Sequence, residues 1–397
     1  MNIHKNIDTI WRKTVRILFL VFTGLLVLGQ FQKIFLSRLS AMYFHDIVVV
    51  VLVGLAMPLV KKHWKKLTKP LWVRWLGTFL LITLISLLLA LLFNPFSDWM
   101  IGMLYVVRLI AYVLFGGATL LYIHEKALSR EEVFALCLSV TTLIAAAGLV
   151  QYVAIPDVRG LQYVGWDDHY LRLVSTLFDP SFTGIIAVIG FFLALHRFIQ
   201  RKSAKYIAIA CVHLFALLLT YSRASYLAFS VALIVCAFEY ARLRKAIFVI
   251  ALATIVGVLL LPRPASEGTR LERLTSVRAR IWNTTSAIQR LSPKTLFIGN
   301  GWYLTNVGRK NNNILSETSH SSSPDNSFIH VLQSTGSMGL GSLLITGIVL
   351  FRSTKSLALR STLVAITIAS FFNQVLFYPW VLLIVCELIA QDEEVWA

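Results

Sequence analysis

The sequence is poor in charged residues, which make up 14% of its 397 positions, whereas hydrophobic residues make up 57%. A soluble domain contains about a quarter charged residues and about half apolar ones. Together with a mean hydropathy of +0.74, this composition excludes an ordinary cytosolic fold. Long apolar stretches recur along almost the whole chain, and they leave little room for a separate soluble domain.

Cysteines and the motifs of common soluble enzymes are also scarce. The four cysteines lie far apart inside apolar stretches and lack CxxC spacing. We interpret them as small packing residues and not as disulfides or metal ligands. No glycine-rich phosphate loop, HExxH or GxSxG motif occurs in the sequence. ATP-driven transport and zinc proteolysis therefore have no support, and we expect neither a cofactor nor a metal.

The apolar stretches predict helices that cross a membrane, each of which requires about 20 mostly apolar residues. Twelve such stretches fall at 15–31, 41–60, 71–93, 99–123, 132–154, 178–199, 204–220, 224–240, 246–262, 327–350, 357–373 and 375–390. The last two are short, so a re-entrant hairpin or one broken helix stays open for them. No cleavage site follows the first stretch, so this helix is expected to stay attached.

These stretches predict an all-α polytopic membrane protein with about twelve transmembrane helices. We expect a single membrane domain over residues 1–397, in which residues 1–154 form an N-terminal group of helices. The longest connection, 263–326, is predicted to be an extracytoplasmic loop.

The chain carries 37 Lys and Arg against 19 Asp and Glu. Nucleic-acid binding would be one explanation, but most of the positive charge borders alternate short connections between apolar stretches. With the N-terminus inside, the cytoplasmic segments carry 22 Lys and Arg, and the short outside segments carry five. This bias predicts that both termini are cytoplasmic and that no nucleic acid is bound.

Two outside segments, 155–177 and 263–326, are long enough to contribute to function. In the second, apolar residues recur at helical spacing from Leu271 to Ile288. This spacing predicts an amphipathic helix over 269–290 that lies at the membrane surface. Arg273 and Arg280 are seven residues apart and share the opposite face of this helix.

Several charged residues fall on the predicted outer side. Arg172 ends the first outside segment, Arg223 lies in a very short connection, and Arg280 lies on the loop helix. Guanidinium groups bind phosphate bidentately and keep their charge, so three of them together would form a site for a dianionic phosphate. Taken singly, the arginines are more often interfacial or solvated side chains, and Asp325 is more often a helix cap.

The order of the motifs resembles that of the O-antigen ligase and polymerase family. TYSRASYL is followed by RARIWN and TLFIGNGW, and nine residues then separate Asn326 from Gly336, with Gly339 beyond it. The family's first arginine follows a serine at a helix start, as Arg223 does, and its second precedes a tryptophan, as Arg280 precedes Trp282. The resemblance covers residues 172–345. The glycines are also compatible with a close helix contact or a kink.

One position departs from the ligase pattern. The family's last motif usually begins His-Asn, and Asp325 occupies the position of the histidine. This difference favours a polymerase-like member. The segment LRLVSTLFDPSFTG also resembles an arginine and Asp-Pro-Asn element of such members, with Arg172, Asp179 and Pro180 in place and Ser181 where asparagine is usual.

The resemblance implies a GT-C-like fold and a metal-independent, inverting glycosyltransferase. The donor would be a glycan on polyprenyl pyrophosphate, and the acceptor a sugar hydroxyl on the periplasmic face of the bacterial inner membrane. Arg223 and Arg280 would stabilise the pyrophosphate, joined by Arg172. Asp325 would take the proton from the acceptor hydroxyl, and Asn326 would orient this carboxylate or the sugar.

Three further residues are candidates for substrate binding, namely Trp282, Arg273 and His320. His320 is also an alternative base. The expected partners are the donor and acceptor glycans, membrane lipids and, for a polymerase, a protein that regulates chain length.

Three functions stay open on the sequence alone. The first is a polymerase of lipid-linked repeat units, and the second is a ligase that moves finished glycan to lipid A core or to protein. The third is a transporter or flippase of lipid-linked sugars, which would be expected to show charged residues deep in several helices. Arg108 is the one mid-helix charge that we identify from the sequence.

Overall fold

The structure is a computed structural model that describes residues 2–35, 41–262, 269–270, 275–289, 291–304 and 324–396. Fifteen α-helices are described: α1 (Asn2–Leu28), α2 (Phe44–Thr68), α3 (Leu71–Ala90), α4 (Phe96–His124), α5 (Arg130–Ala154), α6 (Pro180–Arg201), α7 (Ala204–Leu219), α8 (Arg223–Glu239), α9 (Arg244–Leu260), α10 (Thr275–Gln289), α11 (Pro293–Ile298), α12 (Ser327–Ser353), α13 (Leu357–Ala369), α14 (Pro379–Gln391) and α15 (Glu393–Trp396).

Each of the twelve predicted apolar stretches coincides with a helix. Among the described residues, eight helices are long and apolar enough to cross a membrane: Thr9–Gln32, Phe44–Thr68, Leu71–Ala90, Phe96–His124, Arg130–Ala154, Pro180–Arg201, Ala241–Leu260 and Ser327–Ser353. The other four stretches are the shorter helices α7, α8, α13 and α14. A helix of 13 residues is only about 20 Å long, whereas the hydrocarbon core of a bilayer is about 30 Å thick.

The all-α prediction needs one correction. The strands β1 (Lys33–Phe35) and β2 (Ala41–Tyr43) pair antiparallel, with Lys33 opposite Tyr43. The predicted helix over 41–60 therefore begins at Phe44. Its start is set by Asp46, whose carboxylate accepts a hydrogen bond from the backbone amide of Tyr43 at 2.8 Å. Apolar spacing did not reveal this hairpin because it consists of only three residues on each side.

The helix ends form two opposite faces. At one face, Arg16 Nε donates to the carbonyl oxygen of Ala127 at 3.0 Å, and Trp72 Nε1 donates to that of Val395 at 3.0 Å. The lysines at the end of α2 lie at this face, which we call the basic face. Both ends of the described chain lie there, because α1 starts and α15 ends on this side.

The opposite face carries the motifs, and we call it the motif face. There the ring of Phe31 packs on that of Phe178, with centroids 4.9 Å apart, and the backbone amide of Ser327 donates to the carbonyl oxygen of Ser370 at 2.8 Å. The nine residues 370–378 that separate α13 from α14 lie at this face. The last two predicted stretches are therefore two distinct helices and not one broken helix.

The helices differ in how far they are buried. α6 is the most enclosed of the long apolar helices, with 83% of its apolar window buried, whereas only 11% of the window of α9 is buried. Large apolar side chains of α9, such as Phe248 and Leu259, are exposed along its length. A surface of this kind requires lipid around it, and the fold is accordingly that of a multi-pass membrane protein.

The helix α12 is broken at Gly336, where φ is +70°. The break leaves two carbonyl groups without helical partners, and they accept from the loop after α11: Asn300 N donates to Gln333 O at 2.9 Å, and Gly301 N donates to Ser334 O at 3.1 Å. A Cβ atom at Gly336 would overlap the carbonyl group of Phe297. Of the two structural roles left open for these glycines, a close contact or a kink, Gly336 has both, and the break holds the end of the long loop on α12.

Candidate active site

Arg223 is the first residue of α8 and lies at the motif face. The turn before it is held by Ser222, whose Oγ caps α8 by accepting from the amide of Ser225 at 3.4 Å. Tyr221 attaches the same turn to the end of α9 by donating to the carbonyl oxygen of Pro262 at 2.7 Å. Because a helix N-terminus carries partial positive charge, the start of α8 adds to the guanidinium charge of Arg223.

Arg172 is placed against the same turn. Its Nε donates to the carbonyl oxygen of Thr220 at 3.1 Å, and the residue is only 5% exposed. The next amide, that of Leu173, donates to the carbonyl oxygen of Leu219 at 2.9 Å. The segment before α6 is thereby fixed to the end of α7, three residues before Arg223.

Arg280 reaches this region from α10. Burial and, after it, the positive charge of Arg280 lower the pKa of Arg223. α10 lies on α12, where the side chain of Gln333 donates to the carbonyl oxygen of Ala287 at 2.9 Å. The fold therefore brings together two like charges that are 57 residues apart in sequence, an arrangement that an anion would relieve.

Asp325 lies two residues before α12 and is half-buried. Its Oδ2 accepts a hydrogen bond from Nδ2 of Asn283 at 3.2 Å. Since Asn283 is three positions after Arg280, both side chains lie on one face of α10. The predicted carboxylate and the predicted phosphate-binding arginine are thus connected through a single helical turn.

The cap of α12 is Asn326 and not Asp325. Asn326 Oδ1 accepts from the amides of Phe328 and Ile329 at 2.9 and 3.1 Å, and its Nδ2 donates to the carbonyl oxygen of Phe371 at 3.3 Å. The simple interpretation of Asp325 as a helix cap is wrong, because its neighbour performs that role. The carboxylate of Asp325 instead accepts from Asn283.

The predicted binding residue Trp282 is not brought to this place. Trp282 is 73% exposed on the opposite side of α10, beside the exposed Ile281. Arg273 and His320 lie outside the described residues. The amphipathic helix, predicted over 269–290, is described over Thr275–Gln289.

Sequence reasoning missed Asn283, although a signal was available. Residues three apart on a helix are neighbours, so the prediction of a helix around Arg280 already placed Asn283 beside it. It could not be assigned a partner, because its contact with Asp325 spans 42 residues.

Arg108, the mid-helix charge of α4, has a partner that the sequence did not reveal. Its guanidinium forms an ion pair with Asp46 at 2.9 Å and donates to the carbonyl oxygen of Ala41. It also lies over the rings of Tyr43 and Tyr105, at 5.4 Å from each centroid. These contacts attach the β-hairpin to α4.

Among the described residues, Arg108 is not the only ionisable side chain within a predicted membrane helix. Glu387 of α14 is 1% exposed, and the thiol of Cys137 donates to it at 3.0 Å. The sequence interpretation overlooked this residue because it stands within an otherwise apolar stretch.

A group of possible metal ligands lies at the basic face, on the other side of the molecule. Among the described residues, the ligand atoms of His63, His124 and Glu125 lie within 4.8 Å of one another. Glu125 already accepts from the ammonium group of Lys62 at 2.8 Å. A cation at this place would also meet the charge of Lys66, which acts on His124, so the surroundings do not favour a metal.

Residues 206–344, about a third of the chain, match a family model described as O-antigen ligase. This match supports assignment of the matched region to the O-antigen ligase and polymerase family. The resemblance inferred from the motifs is thereby confirmed, and Arg223, Arg280 and Asp325 lie within the matched residues, whereas Arg172 lies before them. No curated protein matches the chain.

The match to this family model supports an enzyme that transfers lipid-linked glycans in a membrane. The matched segment runs from α7 into α12. It includes the α7–α8 turn, the described parts of the long loop and the break at Gly336.

Proposed function

We propose that this protein is a glycosyltransferase that polymerises polyprenyl-pyrophosphate-linked repeat units on the extracytoplasmic face of a bacterial inner membrane. The observation that carries the proposal is the position of α10. The positive charge of one residue of this helix, Arg280, acts on Arg223, and another residue, Asn283, donates a hydrogen bond to Asp325. Two phosphate-binding charges and one carboxylate therefore meet at one place on the motif face.

The arginines bind the leaving group. As the sugar departs, negative charge develops on the pyrophosphate, and preorganised guanidinium groups stabilise it without rearrangement. By analogy with oxyanion-hole donors, each such group is worth about 3 kcal/mol of transition-state stabilisation. Arg172 adds a third charge near the α7–α8 turn, since it is bound to Thr220.

Asp325 is the base. It takes the proton of the acceptor hydroxyl while the hydroxyl oxygen attacks the anomeric carbon, and the electron pair of the broken C–O bond passes to the pyrophosphate. This single displacement inverts the anomeric centre. The carboxylate is half-buried, and so it is accessible to a glycan that approaches from the motif face.

The lipid chain of the donor has a place beside α8. An apolar groove of about 550 Å³ lies between α8 and α9, with Phe229, Leu233, Ile247 and Ile255 among its lining residues. It lies on the helix that begins with Arg223. The lining runs from Phe229 to Phe238 on α8 and includes Arg244 of α9, so a polyprenyl chain would have to extend beyond the groove along α8 to bring its pyrophosphate to Arg223.

The proposed topology has twelve membrane crossings, cytoplasmic termini and the motif face outside. Its support is the count of 22 cytoplasmic against five outside Lys and Arg, which follows the positive-inside rule. For a polymerase, a separate protein that regulates chain length is an expected partner.

A ligase is the second candidate, because the matching family model is described as O-antigen ligase. Such an enzyme would transfer the finished glycan to lipid A core or to protein. Asp325, at the position where the ligase pattern has histidine, favours the polymerase. The transporter has less support, since Arg108 is accounted for by its ion pair and its contacts with the hairpin, and Glu387 by its hydrogen bond from Cys137.

The gel pattern of surface polysaccharide from a deletion strain tests the proposal. A polymerase defect leaves a single repeat unit on the acceptor, whereas free polymer that is not attached to core indicates a ligase. Absence of lipid-linked sugar outside the membrane indicates a flippase. The wild-type gene should restore the polymer ladder, and the R280A variant should not.

A further inference from the structure

We infer that Asn283 is a positioning residue for Asp325, and that Oδ1 of this carboxylate takes the proton from the acceptor. This inference rests on the proposed function and adds a residue to its machinery. A half-buried carboxylate can rotate about its Cβ–Cγ bond. The amide hydrogen bond of 3.2 Å to Oδ2 opposes that rotation and leaves Oδ1 for the acceptor hydroxyl.

Asn283 can act in this way because its helix is itself held in place. One turn further along α10, the carbonyl oxygen of Ala287 accepts from the side chain of Gln333. The backbone carbonyl of Gln333 is bound to Asn300 across the break at Gly336. The hydrogen bonds of Ala287 and Asn283 join α10 to α12 and to Asp325, two residues before it, so α10 and the carboxylate are held on the same helix.

An amide suits the position between Arg280 and Asp325 better than a charged group would. A direct ion pair between these residues would occupy the guanidinium and reduce the basicity of the carboxylate. The carboxamide donates a hydrogen bond without adding charge. Asn283 thus orients the base while Arg280 keeps its charge for the phosphate.

The test uses the full-length protein in detergent or nanodiscs with a synthetic lipid-linked repeat unit. We expect Asn283→Ala to lower kcat by about 10-fold or more, by analogy with partners that orient metal-binding side chains. The KM for the donor should stay nearly unchanged, because Arg280 is retained. The acid limb of the pH–rate profile should move to higher pH, since a donor to the charged carboxylate is lost.

Asn283→Asp keeps the shape of the side chain but replaces the donor with a negative charge. It should lower kcat further than the alanine variant and move the acid limb further in the same direction. Thr285→Ala is the matched control, because Thr285 is exposed on the same helix. It should leave kcat, KM and the pH profile unchanged. Thermal unfolding of each variant shows whether the protein is folded.

The outcomes separate this inference from the proposed function. If Asp325→Asn abolishes turnover while Asn283→Ala keeps a wild-type kcat and pH profile, the positioning role is overturned and the base assignment stands. A raised KM with an unmoved acid limb would show that Asn283 only supports the fold, which also overturns it. Full activity of Asp325→Asn would overturn both.

Discussion

The backbone amide of Asn300 donates to the carbonyl oxygen of Gln333 at 2.9 Å, across the break that Gly336 makes in α12. This contact joins the TLFIGNGW motif to the last motif of the matched region. It leaves the side chain of Gln333 to hold α10. The glycines of the two motifs therefore have the same structural role: because they lack a Cβ atom, the two backbones can approach each other.

Replacement of Gly336 tests this arrangement. Gly336→Ala should lower the melting temperature and the glycan transfer activity together, because a left-handed φ costs about 1–2 kcal/mol for a residue with a Cβ and the Cβ would overlap Phe297. Gly341→Ala is the control, since a Cβ there meets nothing within 4 Å. Thermal unfolding in detergent measures both variants. Equal melting temperatures would contradict the proposed role of the break.

Arg280 should be essential for transfer. We expect Arg280→Ala to reduce polymer formation by about 10²-fold or more, the effect of removing one preorganised donor to a developing negative charge. Arg278→Ala provides the control, because Arg278 is exposed on the same helix. Polymer yield in cells with equal amounts of each variant is the measurement. Unchanged polymer length and yield in Arg280→Ala would refute the phosphate-binding role.

Asp325 should limit turnover as the base. Asp325→Asn is expected to lower kcat by about 10²–10⁴-fold, the usual contribution of a general base. The parallel variant His320→Ala should retain activity. If His320→Ala loses turnover and Asp325→Asn does not, the base has been assigned to the wrong residue.

The ion pair between Arg108 and Asp46 should contribute to stability and not to chemistry. Removing either partner from a buried pair costs about 3–5 kcal/mol, so Arg108→Ala should lower the melting temperature strongly. The double variant Arg108→Leu with Asp46→Leu should be less destabilised than the sum of the single variants Arg108→Leu and Asp46→Leu, because no unpaired charge is left. A double-mutant cycle from thermal unfolding measures this coupling, and strict additivity would contradict it.

The sequence by itself determined the helices, because helix formation in a membrane depends on runs of apolar residues that are local along the chain. All twelve predicted stretches coincide with helices, and the matched family domain was recognised from motif order. The kink at Gly336 was also accessible, since glycine is the residue that a left-handed backbone favours.

Only the tertiary structure decided which polar groups meet. Arg223 and Arg280 act on each other across 57 residues of chain, and Asp46 pairs with Arg108 across 62. Neither separation in sequence follows from the period of a helix or a strand, so no sequence pattern predicts these two contacts. The tertiary structure also decided the roles of Asp325 and Asn326, because either residue type can cap a helix. Asn326 caps α12, whereas Asp325 accepts a hydrogen bond from Asn283 of α10.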